Sequence, residues 1–385
     1  MDVYIETKAK HKYTKYKHKY SKIKNREKFN NDKVFLELKY YLDKEFETID
    51  KDKYLKVKKL YNDTIFDKGN KKREKLKKMA IVVNTKKGQI KFSKHNMSIK
   101  IRRSIRYMNF FRGWLKWCRQ NNIRVPNASL YLYIADVHYF ENDTLPVCLM
   151  AKPANRAGIL IPEDTIYCTE IRGIKDKVKC LDHDELAKLM IDKCILPFQE
   201  RDPTMFFKGA DTGKTDKWAI RNMLKKQYEN DNSISIQLKG AQLPIYDFCK
   251  YMILLNLPGN QPWAYRFREI LLMGSLVVNI SVYASYDNGK TWNDPWIHFW
   301  SCLFNPNEHY VDLEYRWMEN NEEYNKKQNQ KLFSDLENLN KDILKNREKY
   351  SKIAYNGSKK MRQLSMDTIY RYITYIFEKV ERFDI

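Results

Sequence analysis

The sequence predicts an α/β protein made of two doubly wound domains with helical ends. Three observations lead there. From about residue 80 onward, short apolar runs alternate with longer amphipathic ones, as strand and helix units do. The units fall into two clusters, which meet near residue 197. The 385 residues are too many for one ordinary domain, and 43 % hydrophobic with 14 % aromatic residues is enough to pack two cores. The expected divisions are a basic helical extension over 1–80, a first α/β domain over 81–197, a second over 198–345, and helices over 346–385 that pack back across both.

The elements follow in chain order. Residues 7–28 hold ten basic residues and one acidic one, interleaved with Tyr. Such a run suits a phosphate-touching arm and equally a solvated N-terminus. Val34, Phe35, Leu38, Tyr41 and Leu42 recur at helical spacing within 33–61, and KKREKLKK (71–78) reads as a solvated helix face. IRRSIRYMNFFRGWLKWCRQ (101–120) is an amphipathic helix with a basic side, SLYLYIAD (129–136) a buried strand ending in a carboxylate, and GILIP (158–162) a short strand. DELAKLMIDKCI (184–195) reads as a helix with Asp184 as its cap. TMFFKG (204–209) is a strand entering a loop, and TDKWAIRNMLKKQY (215–228) is the helix after it. YDFCKYMILLN (246–256) and YRFREILLMGSLVVNI (265–280) supply strand, turn, helix and strand. Two helices close the chain; in the first, Leu332, Leu336, Leu339 and Ile343 form one apolar stripe.

Composition sets further bounds. The net charge of +24 implies attraction to polyanions or anionic ligands, without choosing among nucleic acid, anionic membrane and nucleotide phosphate. The seven Cys are scattered, odd in number and form no CxxC pair, so reduced thiols are expected and a structural zinc site is not. No apolar run approaches membrane-spanning length and the start lacks a signal-peptide core, so a cytoplasmic location is expected. The abundance of Lys, Asn, Ile and Tyr points to an AT-rich genome, such as that of a large DNA virus.

In open α/β sheets ligands sit beyond the carboxyl ends of the strands. Three segments are placed there. Asp136 closes a strand, where a carboxylate serves as a general base or as a loop cap. In FFKGADTGKTDKWAIR (206–221) a Gly-containing loop enters a helix, with Lys208, Lys217 and Arg221 available to an anion, although no Walker A spacing is present. In LNLPGNQPWAYRFREILLMGSLVVN (255–279) a PGNQP turn precedes a helix bearing Arg266 and Arg268.

The ordered set FFKGADTG, LPGNQPWAYRFREILLMGSLVV, PWIHFW (295–300) and KIAYNGSKKMRQLSMDTIYRYITYIF (352–377) resembles glycosyltransferase family 90. That family includes capsule-associated xylosyltransferases and protein O-glucosyltransferases, and the likeness runs over roughly 105–377. The resemblance implies a GT-B fold of two Rossmann-like domains facing a cleft, the first for the acceptor and the second for the donor. It further implies a UDP-sugar donor, with glucose or xylose favoured, and a protein or glycan hydroxyl as acceptor. Transfer would proceed with inversion and without metal or other cofactor. YIADVHY (133–139) falls where the family carries its base, so Asp136 inherits that role. Lys208, Gly209, Thr212, Gly213, Lys217, Arg221, Gly259, Arg266, Gly274 and Ser275 inherit donor binding. His298 matches a family His and is read as structural. Pro258 and Ala264 depart from the family pattern, and FKG replaces FRG, exchanging a bidentate fork for a point charge. Two other readings stand beside the enzyme: an inactive glycosyltransferase-like scaffold, and a nucleic-acid binder using the basic N-terminus.

Overall fold

The computed structural model describes residues 32–66, 80–93, 101–134, 148–154, 158–171, 179–211, 219–238, 243–259, 263–285, 291–292 and 294–384. The basic runs at 7–28 and 71–78 lie outside them.

The chain opens with two helices, α1 (Lys33–Glu47) and α2 (Lys51–Phe66). Asp32 caps α1 by accepting from Phe35 N at 3.1 Å. Val34, Leu38, Leu42 and Phe46, one turn apart, are its buried face. Strands β1 (Ala80–Lys86) and β2 (Gln89–Ser93) then form a hairpin whose two-residue turn, Lys87 and Gly88, has φ of 51° and 70°. Two positive φ values are what a hairpin turn matched to strand twist requires. Helix α3 (Ile101–Gln120) follows, then β3 (Ser129–Tyr133), β4 (Cys148–Leu149), β5 (Lys152–Pro153), β6 (Ile159–Leu160), β7 (Thr169–Ile171) and β8 (Lys179–Leu181). The first sheet has the order β2-β1-β3-β4-β6. Its β1 pairs antiparallel with both β2 and β3, whereas β3–β4 and β4–β6 are parallel. This sheet is therefore mixed where a doubly wound, Rossmann-like domain was expected for 81–197, because a two-residue connection between β1 and β2 permits only antiparallel pairing.

Helix α4 (His183–Lys193) begins one residue earlier than expected, capped by Asp182 in a capping box with Glu185. The expected cap, Asp184, turns away instead and accepts from Met366 N at 2.9 Å. The second sheet is built from β9 (Asp202–Lys208), β10 (Ile234–Gln237), β11 (Tyr251–Asn256), β12 (Leu276–Ser285) and β15 (Val311–Met318), with α5 (Ile220–Gln227) and α6 (Arg266–Leu271) in the connections. All five strands run parallel in the order β10-β9-β11-β12-β15. Chain order thus reverses between β9 and β11, as in doubly wound sheets. The short β13 (Thr291–Trp292) pairs antiparallel with the far end of β12, and β14 (Trp296–Ile297) pairs with β5.

Three helices finish the chain: α7 (Glu322–Lys345), α8 (Arg347–Gln363) and α9 (Met366–Asp384). In α7, Leu332, Leu336 and Ile343 are buried and Leu339 partly so, as the stripe predicted. Helix α8 lies against α6 and β12, whereas α9 lies against α1, α3 and β3. Ile369, Tyr372, Ile373, Ile376, Phe377 and Val380 of α9 have no exposed surface. Burying one such side chain stabilises by about 1.5–3 kcal/mol, so α9 is a core element of the first half and not a tail.

The two halves meet at Arg268, which has no exposed surface. From α6 it reaches His183 Nδ1 at 2.8 Å and donates to Thr165 O and Thr169 Oγ1, each at 3.2 Å. A guanidinium has no acceptor, so Nδ1 of His183 accepts, and Nε2 carries the proton that it shares with Met361 O at 3.3 Å. The expectation of reduced thiols needs one correction: Cys168 and Cys180 are bonded across the β7–β8 pair, with Cα atoms 4.9 Å apart. They lie twelve residues apart in the chain; Cys168 immediately precedes β7, and Cys180 stands opposite Glu170 in the pair. No described helix is long and apolar enough to cross a membrane.

Candidate active site

The strand order reverses between β9 and β11, the point at which doubly wound sheets open a crevice beyond the carboxyl ends of their strands. Four partly exposed residues stand at its mouth: Lys208, Gly209, Gly259 and Arg266. Lys208 ends β9 and donates from Nζ to Gln237 Oε1 at 3.2 Å, at the end of the neighbouring β10. Arg266 opens α6 and donates from Nη1 to the Lys208 carbonyl. Arg221 reaches up from α5, donating to Ala210 O at 2.9 Å and Leu257 O at 3.0 Å. It thereby ties the loop after β9 to the loop after β11.

Both guanidiniums rest on one ring. Arg221 lies 5.0 Å and Arg266 5.4 Å from the centroid of Phe207. Phe248 adds a second face to Arg266 at 5.6 Å. Two cations sharing an aromatic wall are held close despite their repulsion. Burial, and then the Arg266 charge, lower Arg221 to about 10, and burial lowers Arg266 as well. Both remain cationic at neutral pH. At Gly209 a Cβ would lie 2.7 Å from Phe207 Cζ and 3.3 Å from Arg266 Nη1, so any larger residue displaces those side-chain ends. The ensemble is a compact cationic cluster, with the guanidinium and ammonium donors that anions bind.

On the facing side, β3 ends at Tyr133, and the Ile134 carbonyl accepts from Arg103 Nη1 at 2.5 Å. Asp136, two residues further on, lies outside the described residues, as do His138, Thr212, Gly213 and Lys217. The Arg103 guanidinium also stacks 5.2 Å from the Tyr265 ring, immediately before Arg266, and pairs with Asp164 at 3.5 Å. One side chain of α3 therefore touches both the backbone leading to Asp136 and the residue preceding Arg266. The sequence shows only that α3 has a basic side; the contacts themselves are long-range.

The structure therefore brings Lys208, Gly209, Arg221, Gly259 and Arg266 together. Gly274 and Ser275 stand elsewhere. They precede β12, at the amino end of the sheet, opposite the crevice. Gly274 adopts φ +70° in the turn out of α6. Ser275 Oγ donates to Tyr251 O at 2.8 Å and accepts from Arg201 Nη1 at 2.8 Å. This pair joins helix to strand at the opposite end of the sheet from Lys208 and Arg266. His298 is buried, its Nδ1 2.6 Å from Glu163 Oε1 and its ring stacked on Trp300 at 5.0 Å. Buried Glu163 is held below the usual carboxylate range, burial opposing and His298 outweighing it.

The sequence model described as Glycosyl transferase family 90 matches residues 181–383, just over half of the chain. This chain belongs to glycosyl transferase family 90. The match contains the cationic crevice and ends within α9, while Asp136 and Arg103 lie upstream of it. A solved structure, a glycosyltransferase from Rickettsia africae ESF-5, is 16 % identical with a TM-score of 0.27, over 70 % of this chain and 52 % of that one. The chain thus spans about half the length of that structure. No curated protein matches the sequence.

Proposed function

We propose that the chain is an inverting, metal-independent glycosyltransferase that moves a sugar, glucose or xylose favoured, from a UDP-sugar to a hydroxyl of a protein or glycan. The observation that carries this reading is the pair Arg221 and Arg266 on Phe207, at the point where the strand order reverses. Family membership supports the reaction class.

In the proposed reaction Asp136 takes the proton of the acceptor hydroxyl, and its oxygen attacks the anomeric carbon. The bond from that carbon to the diphosphate oxygen breaks, and UDP leaves with the electron pair. Lys208, Arg221 and Arg266 meet the charge that grows on the departing diphosphate, the task a divalent cation performs in other transferases. Thr212, Gly213 and Lys217, which lie between β9 and α5 in the sequence, are assigned to donor binding in the same reading. Arg103 holds the approach to Asp136 relative to Tyr265.

The test is a donor panel with UDP, UDP-glucose, UDP-xylose, UDP-galactose, UDP-N-acetylglucosamine and GDP-mannose, with and without EDTA. UDP should raise the melting temperature, and one UDP-sugar should release UDP in an EDTA-insensitive reaction. Asp136→Asn should lower turnover roughly 10²–10⁴-fold while leaving UDP binding intact. Unchanged turnover in that variant would remove Asp136 as base, and no response to any nucleotide would overturn the enzymatic reading.

A further inference from the structure

A row of polar side chains crosses the second sheet beside the cationic crevice. Asn256 of β11, Asn279 of β12 and Asp312 of β15 are register partners on adjacent strands. Their hydrogen bonds have a fixed direction. Asp312 Oδ1 accepts from Asn279 Nδ2 at 2.6 Å and from Ser281 Oγ at 2.8 Å. Burial raises the Asp312 pKa, opposed by those two donors. Because Asn279 points its amide nitrogen at Asp312, its oxygen faces Asn256, whose Nδ2 donates to it at 2.7 Å. The Oδ1 of Asn256 is thereby turned to the far side. It is buried, Asn256 being 4 % exposed, and no donor meets it among the described residues. An amide flip cannot relieve this, since it would set two acceptors against each other.

Asn256 is the last residue of β11, and the next carbonyl, that of Leu257, is held by Arg221. The orphaned oxygen thus stands at the strand end where the crevice opens. A buried acceptor without a donor is costly, and a directional relay that creates one at a binding crevice calls for a ligand that donates. That requirement excludes the diphosphate, whose oxygens only accept, and selects a hydroxyl.

We propose that Asn256 Oδ1 accepts a hydrogen bond from a carbohydrate hydroxyl of the bound donor, on its ribose or on the transferred sugar. This rests on the reading that the crevice binds a UDP-sugar.

The experiment titrates wild type and Asn256→Leu with UDP, UDP-glucose and UDP-xylose, and wild type with 2′-deoxy-UDP and 3′-deoxy-UDP. A loss of about tenfold confined to the UDP-sugars places the hydroxyl on the transferred sugar. An equal loss on UDP, matched by weak wild-type binding of one deoxy nucleotide, places it on the ribose. If Asn256→Leu binds every ligand as wild type does, the proposal is overturned. It is also overturned if the variant weakens UDP while both deoxy nucleotides bind wild type as UDP does. The deoxy series needs no variant, and if Asn256→Leu does not fold, a wild type indifferent to both ribose hydroxyls and binding UDP-sugars no better than UDP overturns it. Failure of the donor reading is a separate result, since wild type would then bind no UDP at all.

Discussion

Arg221 Nη2 donates to the Leu257 carbonyl at 3.0 Å, while Nη1 of the same group holds the Ala210 carbonyl at 2.9 Å. A single planar fork thus fixes the separation of the two loops that flank the crevice. A lysine there would supply one charge at one point and could not span both carbonyls. Arg221→Lys should therefore weaken UDP binding roughly tenfold and lower the melting temperature by a few degrees, from loss of a buried charged hydrogen bond worth about 1.5–3 kcal/mol. Calorimetric titration with UDP and a thermal melt check both parts. Unchanged UDP affinity would mean that the crevice geometry does not depend on the fork.

Gly209 is expected to separate binding from stability. Adding a methyl group would press on Phe207 Cζ and Arg266 Nη1, which lie at the mouth of the site. Gly209→Ala should weaken UDP several-fold with little change in melting temperature, because the displaced atoms are side-chain ends. Equal affinity in the two proteins would show that Arg266 does not contact the nucleotide.

Gly357 predicts the opposite balance. A Cβ in α8 would lie 2.2 Å from the His309 carbonyl oxygen, a backbone atom that cannot swing aside. Glycine in a helix normally costs about 1 kcal/mol against alanine, yet here Gly357→Ala should destabilise by about 2–3 kcal/mol. Urea unfolding measures this directly, and a stabilised variant would contradict the close approach of α8 to that carbonyl.

His183 gives the protein an acid sensitivity with a defined window. Burial, and then the neighbouring Arg268, lower its pKa from 6.5 to about 3. The unfolded chain takes up this proton near pH 6.5, and the folded protein only near 3. The stabilisation is complete above about 6.5 and is lost as pH falls toward 3, on the order of 5 kcal/mol in all. His183→Gln keeps an acceptor and a donor but does not titrate, so its urea midpoint should fall less than that of wild type between pH 7 and pH 5. Parallel curves for the two proteins would exclude His183 as the cause.

The disulfide is checked by counting thiols. Of the seven cysteines, Cys118, Cys148, Cys194, Cys249 and Cys302 are free. Denatured without reductant, the protein should titrate five thiols, and seven after reduction. Seven before reduction would show that Cys168 and Cys180 are not joined.

The second sheet was the more readable half. Its parallel strands are buried on both faces, so TMFFK, MILLN and LVVNI stand out as continuous apolar runs, and the residues that close them fall at the crevice. The first half hid its topology. Its β1–β2 hairpin turns on Lys87-Gly88 inside a Lys-rich stretch, where composition masks the turn. Gly274 and Ser275 were placed by motif at the site, although a strand has two ends and a motif does not say which one faces a ligand. Arg103, Arg268 and the Asn256 relay were beyond reach, because each depends on partners distant in the chain. The capping oxygen of α4 shows the same limit at short range, since Asp182 and Asp184 are both plausible caps and only the contact of Asp184 with Met366 separates them.

Helix α9 stands more than 200 residues after α3 and β3 in the chain, yet the aromatic core it completes is theirs. Trp114 of α3 stacks on Phe377 at 4.7 Å and donates to Thr374 Oγ1 at 2.9 Å, and Tyr372 donates to Leu160 O at 2.7 Å. The first half therefore cannot finish folding until the chain through α9 has been made, and it does not mature ahead of the second half.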